Sequence, residues 1–207
     1  MLFGTDQKKS LLPNLAMKHV FLTGPPGVGK TTLVRKVCEA LSCCGATMSG
    51  FYTEEVRAGG RRVGFDAVSV AGQRAPLSRV GNASAGGRAC RVGHYVVDVT
   101  SFEGLALPLF KNVGSASDGH RTLFVIDEIG NMELFSQAFI RAVRQTLDSS
   151  GCAVLGTIPV PKGQPLALVE EVRGRQDVKV FTISKENRDT VLPEIVSALQ
   201  ECLKGSA

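Results

Sequence analysis

The sequence predicts an α/β fold: a mainly parallel sheet flanked by helices, with an antiparallel β-rich region added to it. Three observations point there. Short apolar runs alternate with helical segments at both ends of the chain, which favours parallel strands joined by covering helices. Residues 46–100 instead alternate apolar with polar residues between glycines, the pattern of antiparallel hairpins. A glycine-rich stretch, "GPPGVGKTTL", stands between the first apolar run and the first helical segment.

The elements follow in order. "KHVFLTG" (18–24) reads as a buried parallel strand. Leu33, Val34, Val37 and Leu41 then recur at helical spacing, in a helix ending near Gly45. "MSGFYTEEVRAGGRRVGFDAVSV" (48–70) reads as two strands joined across "AGG", and "PLSRVG" and "YVVDV" continue the β-rich section. "GNASAGGRA" (81–89) reads as an exposed mobile loop. "SFEGLALPLFKNV" (101–113) is expected to be a helix interrupted by Pro108, followed by a loop, "SASDGH" (115–120). Next come a strand "RTLFVIDE", one amphipathic helix "MELFSQAFIRAVRQTL" (132–147), a strand "CAVLGTIP", a helix "QPLALVEEVRG" and a strand "VKVFTIS". A terminal helix over "ENRDTVLPEIVSALQECL" (186–203) takes Ser184 as N-cap and Glu186 in its first turn.

The chain has 207 residues, 43% hydrophobic and 21% charged, an ordinary globular balance. Residues 17–207 read as a single domain holding the 46–100 insertion, and residues 1–16 as a disordered tail. That tail lacks the order of a secretory signal, contains no Arg and carries Asp6. No apolar stretch reaches membrane-spanning length. The expected setting is soluble and intracellular, with the cytoplasm placed first and the nucleus left open. The six cysteines form no CxxC pair, so neither a zinc framework nor disulfides are expected, and the thiols read as inert. The net charge of +5 is attributed to a solvated surface and an anionic small molecule rather than to nucleic acid. No aromatic residues interleave with a basic stripe as stacking platforms would.

Gly24, Gly29, Lys30 and Thr31 match G-x-x-x-x-G-K-[ST], the phosphate-binding P-loop or Walker A motif, in its required strand-to-helix context. The glycines, including Gly27, let backbone N–H groups converge on phosphate oxygens, and the helix that follows aims its N-terminus at the same anion. Lys30 should reach the β- and γ-phosphates and act in catalysis, while Thr31 should hold Mg²⁺ through its hydroxyl. Pro25 and Pro26 stiffen the entrance, and Val28 and Thr32 complete the nucleotide-binding loop.

In "LFVIDEIG" (123–130), four apolar residues put Asp127 at the C-terminal edge of a buried strand, where ligands of parallel sheets bind. Asp127 is expected to hold Mg²⁺ through its water shell, as a Walker B Asp does. Glu128 beside it resembles the water-polarising Glu of additional-strand P-loop proteins and is the candidate catalytic base. Thr157, at the end of another predicted strand, is a candidate γ-phosphate sensor, set against an ordinary strand-end Thr. Arg173, Arg175, Arg79 and Arg62 are candidates to meet transition-state charge. Asn187 and Arg188 lie where many P-loop folds contact the base.

"HVFLTGPPGVGKTTL", "GFYTEEVR", "GGRRVGFD", "PLSRVG", "YVVD", "VIDEIGNMELFS", "LGTIPVPKG" and "KENR" occur in that order. Together they resemble the cancer-related nucleoside-triphosphatases of animals, a P-loop family shared with thermophilic bacteria and archaea, from about residue 17 to residue 190. The resemblance implies a monomeric, Mg²⁺-dependent enzyme that slowly cleaves ATP, GTP, CTP and UTP to diphosphates and phosphate. It also implies a second nucleotide-binding segment, Leu123, Phe124, Val125, Ile126, Asp127, Glu128, Ile129 and Gly130. Asn131 departs from the Lys expected there in the animal enzymes. Two other readings of the same core stay open. One is a small-molecule or polynucleotide kinase, with "VRAGGRRVG" as a lid; the other is an NTP-controlled binding switch.

Overall fold

The structure, a computed structural model, describes residues 16–81, 90–111, 113 and 121–204. The expected tail up to residue 15, most of the expected 81–89 loop and the "SASDGH" loop lie outside the described residues.

In chain order the elements are β1 (His19–Thr23), α1 (Lys30–Ser42), β2 (Met48–Ala58), β3 (Arg61–Ser69), β4 (Arg74–Val80), β5 (Arg91–Val92), β6 (Tyr95–Val97) and α2 (Val99–Phe110). Then come β7 (Thr122–Asp127), a 3₁₀ turn (Glu133–Phe135), α3 (Gln137–Asp148), β8 (Cys152–Ile158), α4 (Ala167–Gly174), β9 (Val178–Thr182) and α5 (Leu192–Lys204). The strands form one sheet in the order β5-β6-β4-β3-β2-β7-β8-β1-β9. β2, β7, β8, β1 and β9 run parallel, while β3 to β6 join antiparallel. The strand that enters the glycine-rich loop and the strand that ends in Asp127 are therefore separated by β8.

The alternation of side chains across the parallel strands builds two cores. Val20 and Leu22 of β1, Leu123 and Val125 of β7, and Leu155 of β8 face α1 and α5. Phe21, Phe124, Ile126 and Val154 face the opposite layer of α2, α3 and α4. On that side Phe51, Phe102, Phe110 and Phe139 meet mostly edge to face, with ring centroids 5.2–6.0 Å apart.

Four expectations change in detail. The β-rich section is not simply appended, because β2 is long enough to serve twice. Met48–Tyr52 pairs in parallel with β7, and Phe51–Ala58 pairs antiparallel with β3. Pro108 does not interrupt α2, which runs through it to Phe110; position 104, whose carbonyl the ring must clear, is a glycine. The expected 132–147 helix is two pieces, because Ser136 is extended and caps α3 by accepting from the Phe139 N–H. The terminal helix begins at Leu192 rather than near Glu186. Its expected first turn is instead a compact turn in which Asn187 Oδ1 accepts from the Ser184 N–H at 2.8 Å.

β1 also carries a buried titratable group. His19 Nδ1 accepts from the Val154 N–H at 3.1 Å, and Nε2 donates to the Leu147 carbonyl at 3.0 Å, which fixes a neutral ring in the core. Burial lowers its pKa to about 4, against the smaller opposing pulls of that carbonyl and Asp177. With the unfolded value near 6.5, the unfolded chain binds the extra proton first as pH falls. The stability held above about pH 6.5 is then lost between there and about pH 4, by roughly 3 kcal/mol. Denaturant unfolding across that window should show a decline that is distinctly shallower in His19→Gln. Parallel curves for the two proteins would contradict it.

Candidate active site

The parallel strands end level with one another. Ile126 pairs with Gly156 and Leu22 with Thr157, so Asp127, Thr157 and the start of the glycine-rich loop share one edge of the sheet. Tyr52 pairs with Asp127, so Thr53 of β2 comes to the same edge.

Gly27 and Gly29 have φ of 74° and 107°, conformations a side chain would resist. Gly29 is also the N-cap of α1, and no side chain caps the helix and no acid occupies its first turn. The opening N–H groups of α1 are thus left for an anion. Lys30 Nζ lies across the loop, 3.0 Å from the Gly24 carbonyl and 3.8 Å from Glu128 Oε2.

Asp127 is fully enclosed at the end of β7. Its Oδ1 accepts from the Thr157 hydroxyl at 2.5 Å, and Thr31 and Thr53 nearby favour its ionised form. Burial nevertheless raises its pKa, because the Thr157 bond, Thr31, Lys30 and Thr53 compensate only in part. Oδ2 is buried without a partner, a costly arrangement for a carboxylate unless a cation meets it. An orphan carboxylate oxygen beside a threonine hydroxyl is an oxygen donor set that fits Mg²⁺, which takes few protein ligands and keeps phosphate oxygens and water. Among the described residues no group of three or more His, Cys, Asp or Glu is placed to hold a metal.

Glu128 turns out of the sheet into a cavity of about 710 Å³. Burial raises its pKa too, opposed by Lys30 and reinforced by Asp127. A carboxylate made more basic, facing the space in front of an uncapped helix N-terminus, is placed to accept a proton from water.

The remaining candidates separate. Arg62 lines the cavity, its fork held by Glu55 and the Tyr95 hydroxyl. Arg79 is occupied by Asp66 and the Phe65 carbonyl. Arg173 ties Thr23 to the Pro159 carbonyl, and Arg175 pairs with Asp177 and Asp148. Asn187 spends its amide on Ser184 and Thr182, whereas Arg188 reaches the Val28 carbonyl of the loop at 3.4 Å. In the hairpin considered as a lid, Arg57 and Arg62 both pair with Glu55. Of the segment Leu123–Gly130, Leu123, Phe124, Val125, Ile126 and Ile129 are core residues that place Asp127, Glu128 and Gly130. Asn131 is exposed at the cavity. Burial raises the thiol pKa values of Cys38, Cys152 and Cys202 to about 11, consistent with unreactive cysteines.

Sequence reasoning missed Thr53 and Glu133. Glu133 is buried at the cavity, and its Oε2 accepts from the Gly130 N–H at 3.1 Å. An acid three residues before a serine able to cap a helix was the available signal.

The family model described as NTPase matches residues 19–196. The chain belongs to this NTPase family. Among its relatives, the human cancer-related nucleoside-triphosphatase is 62% identical over 188 residues, 90% of this chain and 99% of that protein. The nucleoside-triphosphatase THEP1 of Aquifex aeolicus is 39% identical over 184 residues, 87% of this chain and 98% of that one. The fold matches the solution structure of a human cancer-related nucleoside triphosphatase with a TM-score of 0.79 at 63% identity, covering 88% of this chain and 97% of that one. It matches the crystal structure of THEP1 from Aquifex aeolicus with a TM-score of 0.75 at 37% identity, covering 88% and 99%. The fold is thus shared with solved structures of a human and an Aquifex aeolicus nucleoside triphosphatase. Among the described residues no helix is long and apolar enough to cross a membrane.

Proposed function

We propose that this NTPase-family chain hydrolyses nucleoside 5'-triphosphates to diphosphates and phosphate with Mg²⁺, with broad base tolerance and slow turnover. The observation that carries the reading is that Lys30, Thr31, Asp127 and Glu128 meet at one sheet edge, with Glu128 facing open space in front of the uncapped start of α1. The loop amides and Lys30 bind the triphosphate. Thr31 and Asp127 hold Mg²⁺, which when bound offsets charge on the phosphate oxygens. Glu128 orients water and takes its proton, and Thr157 keeps Asp127 in place.

The reading of broad base tolerance is supported by where the polar groups are spent. Asn187 is committed to its own turn, and the roles read for Lys30, Thr31, Asp127 and Glu128 all concern the phosphates, Mg²⁺ or water. The reading of slow turnover is supported by Lys30 drawing on Glu128 and by the engagement of Arg62 with Glu55 and Tyr95. The test is phosphate release from ATP, GTP, CTP and UTP with Mg²⁺ or with EDTA. All four should be hydrolysed at well under the ~10 s⁻¹ typical of enzymes, and EDTA should abolish the reaction. Restriction to one base, or turnover in EDTA, would overturn the corresponding part of the reading.

A further inference from the structure

We propose that Glu133 is the positioning residue of Glu128: it holds the Gly130 amide and so fixes the turn from which the Glu128 side chain reaches the cavity. The inference rests on the reading of Glu128 as the group that orients water.

Three observations support it. Glu133 Oε2 accepts the Gly130 N–H at 3.1 Å, and the Leu134 N–H returns to the Gly130 carbonyl at 3.1 Å, so the turn is clasped on both sides of Gly130. The carboxyls of Glu128 and Glu133 crowd the same face of that glycine. A Cβ there would lie 2.7 Å from Glu128 Oε1 and 3.2 Å from Glu133 Oε2. Finally, Glu128 is pulled from the other side by Lys30 at 3.8 Å. Release of the turn would let the base collapse onto that ammonium, where it is a poorer proton acceptor.

The charge state suits the task. Burial first, and Glu128 second, push the Glu133 pKa up to about 8, so near pH 7 it is mostly protonated. A neutral carboxyl can hold the Gly130 N–H without adding a negative charge in front of a triphosphate. Without an acceptor, that buried N–H would be left unsatisfied, and the turn would relax to recover a partner.

The experiment compares kcat and KM for MgATP, ADP affinity and thermal unfolding in Glu133→Gln, Glu133→Ala and Glu133→Met. Gln keeps both the acceptor and the neutrality and should retain more than a third of wild-type kcat. Ala should lose tenfold or more in kcat, with KM and ADP affinity within threefold. Met fills the volume without an acceptor and should behave like Ala, which keeps the test available if Ala does not fold. Retained kcat in Ala or Met overturns the inference. So does a loss in Gln equal to that in Ala, which would make Glu133 a required anion, or a rise in KM that accounts for the whole loss. If the reading of Glu128 itself fails, Glu128→Gln turns over like wild type. If only this inference fails, Glu128→Gln is inactive while Glu133→Ala is active.

Discussion

Glu128→Gln should lose about 10²–10⁴-fold in kcat, the usual contribution of a general base, while binding Mg-nucleotide within a few-fold of wild type. The amide keeps the shape of the side chain and can still contact water, but it cannot take the proton. Removing the charge also frees Lys30 Nζ from its neighbour at 3.8 Å, so nucleotide affinity should hold or rise slightly. Steady-state phosphate release together with titration of a fluorescent ADP separates the two quantities. Full activity in Glu128→Gln would remove this residue from the chemistry. A proportionate loss of binding would make it a ligand-holding residue instead.

Lys30→Ala should fail in the complementary way. The ammonium is the cationic side chain closest to the loop, lying over the Gly24 carbonyl where phosphate oxygens would replace that contact. A hydrogen bond to a charged group is worth about 1.5–3 kcal/mol, so affinity for ATP should fall roughly ten- to a hundred-fold. kcat should fall as well, because the same charge meets the negative charge developing on the transferred group. Raising ATP would then recover only part of the activity. Wild-type affinity in Lys30→Ala, measured by calorimetry, would contradict the assignment of this loop as the phosphate cradle.

The parts of the site that lie close together in the chain were the legible ones. The glycine-rich loop and the acids after "LFVI" each combine a local spelling with a local context, a strand end or a strand-to-helix turn. Four buried residues before Asp127 suffice to put a carboxylate on the sheet edge. The dual role of β2 was not legible. Alternation in residues 48–58 reads the same whether the partner is β3 alone or β7 and β3 in turn, and only β7, some seventy residues later, decides it. Thr53 was missed for that reason.

Glu133 was missed because "MELFSQAF" has helical periodicity, which would put an acid on a solvated face. Ser136 breaks the helix, and the tighter 3₁₀ turn before it rotates Glu133 inward. The arginines were hard to rank because a guanidinium reaches far and its partners come from distant elements. Arg175 finds Asp148 and Arg62 finds Tyr95 across stretches that no local pattern encodes. The start of α5 was misplaced because Ser184, Asn187 and the residues between them spell a helix N-terminus equally well as a self-capped turn.

The claim that water, drawn in by Glu128, attacks the terminal phosphorus is tested most directly by running MgATP turnover in H₂¹⁸O. Hydrolysis as described predicts one ¹⁸O per phosphate released, none in ADP, and equal amounts of ADP and phosphate. ADP formed in excess of phosphate would instead show transfer to another acceptor, and label in ADP would show attack at the β-phosphorus. Either result would contradict the account.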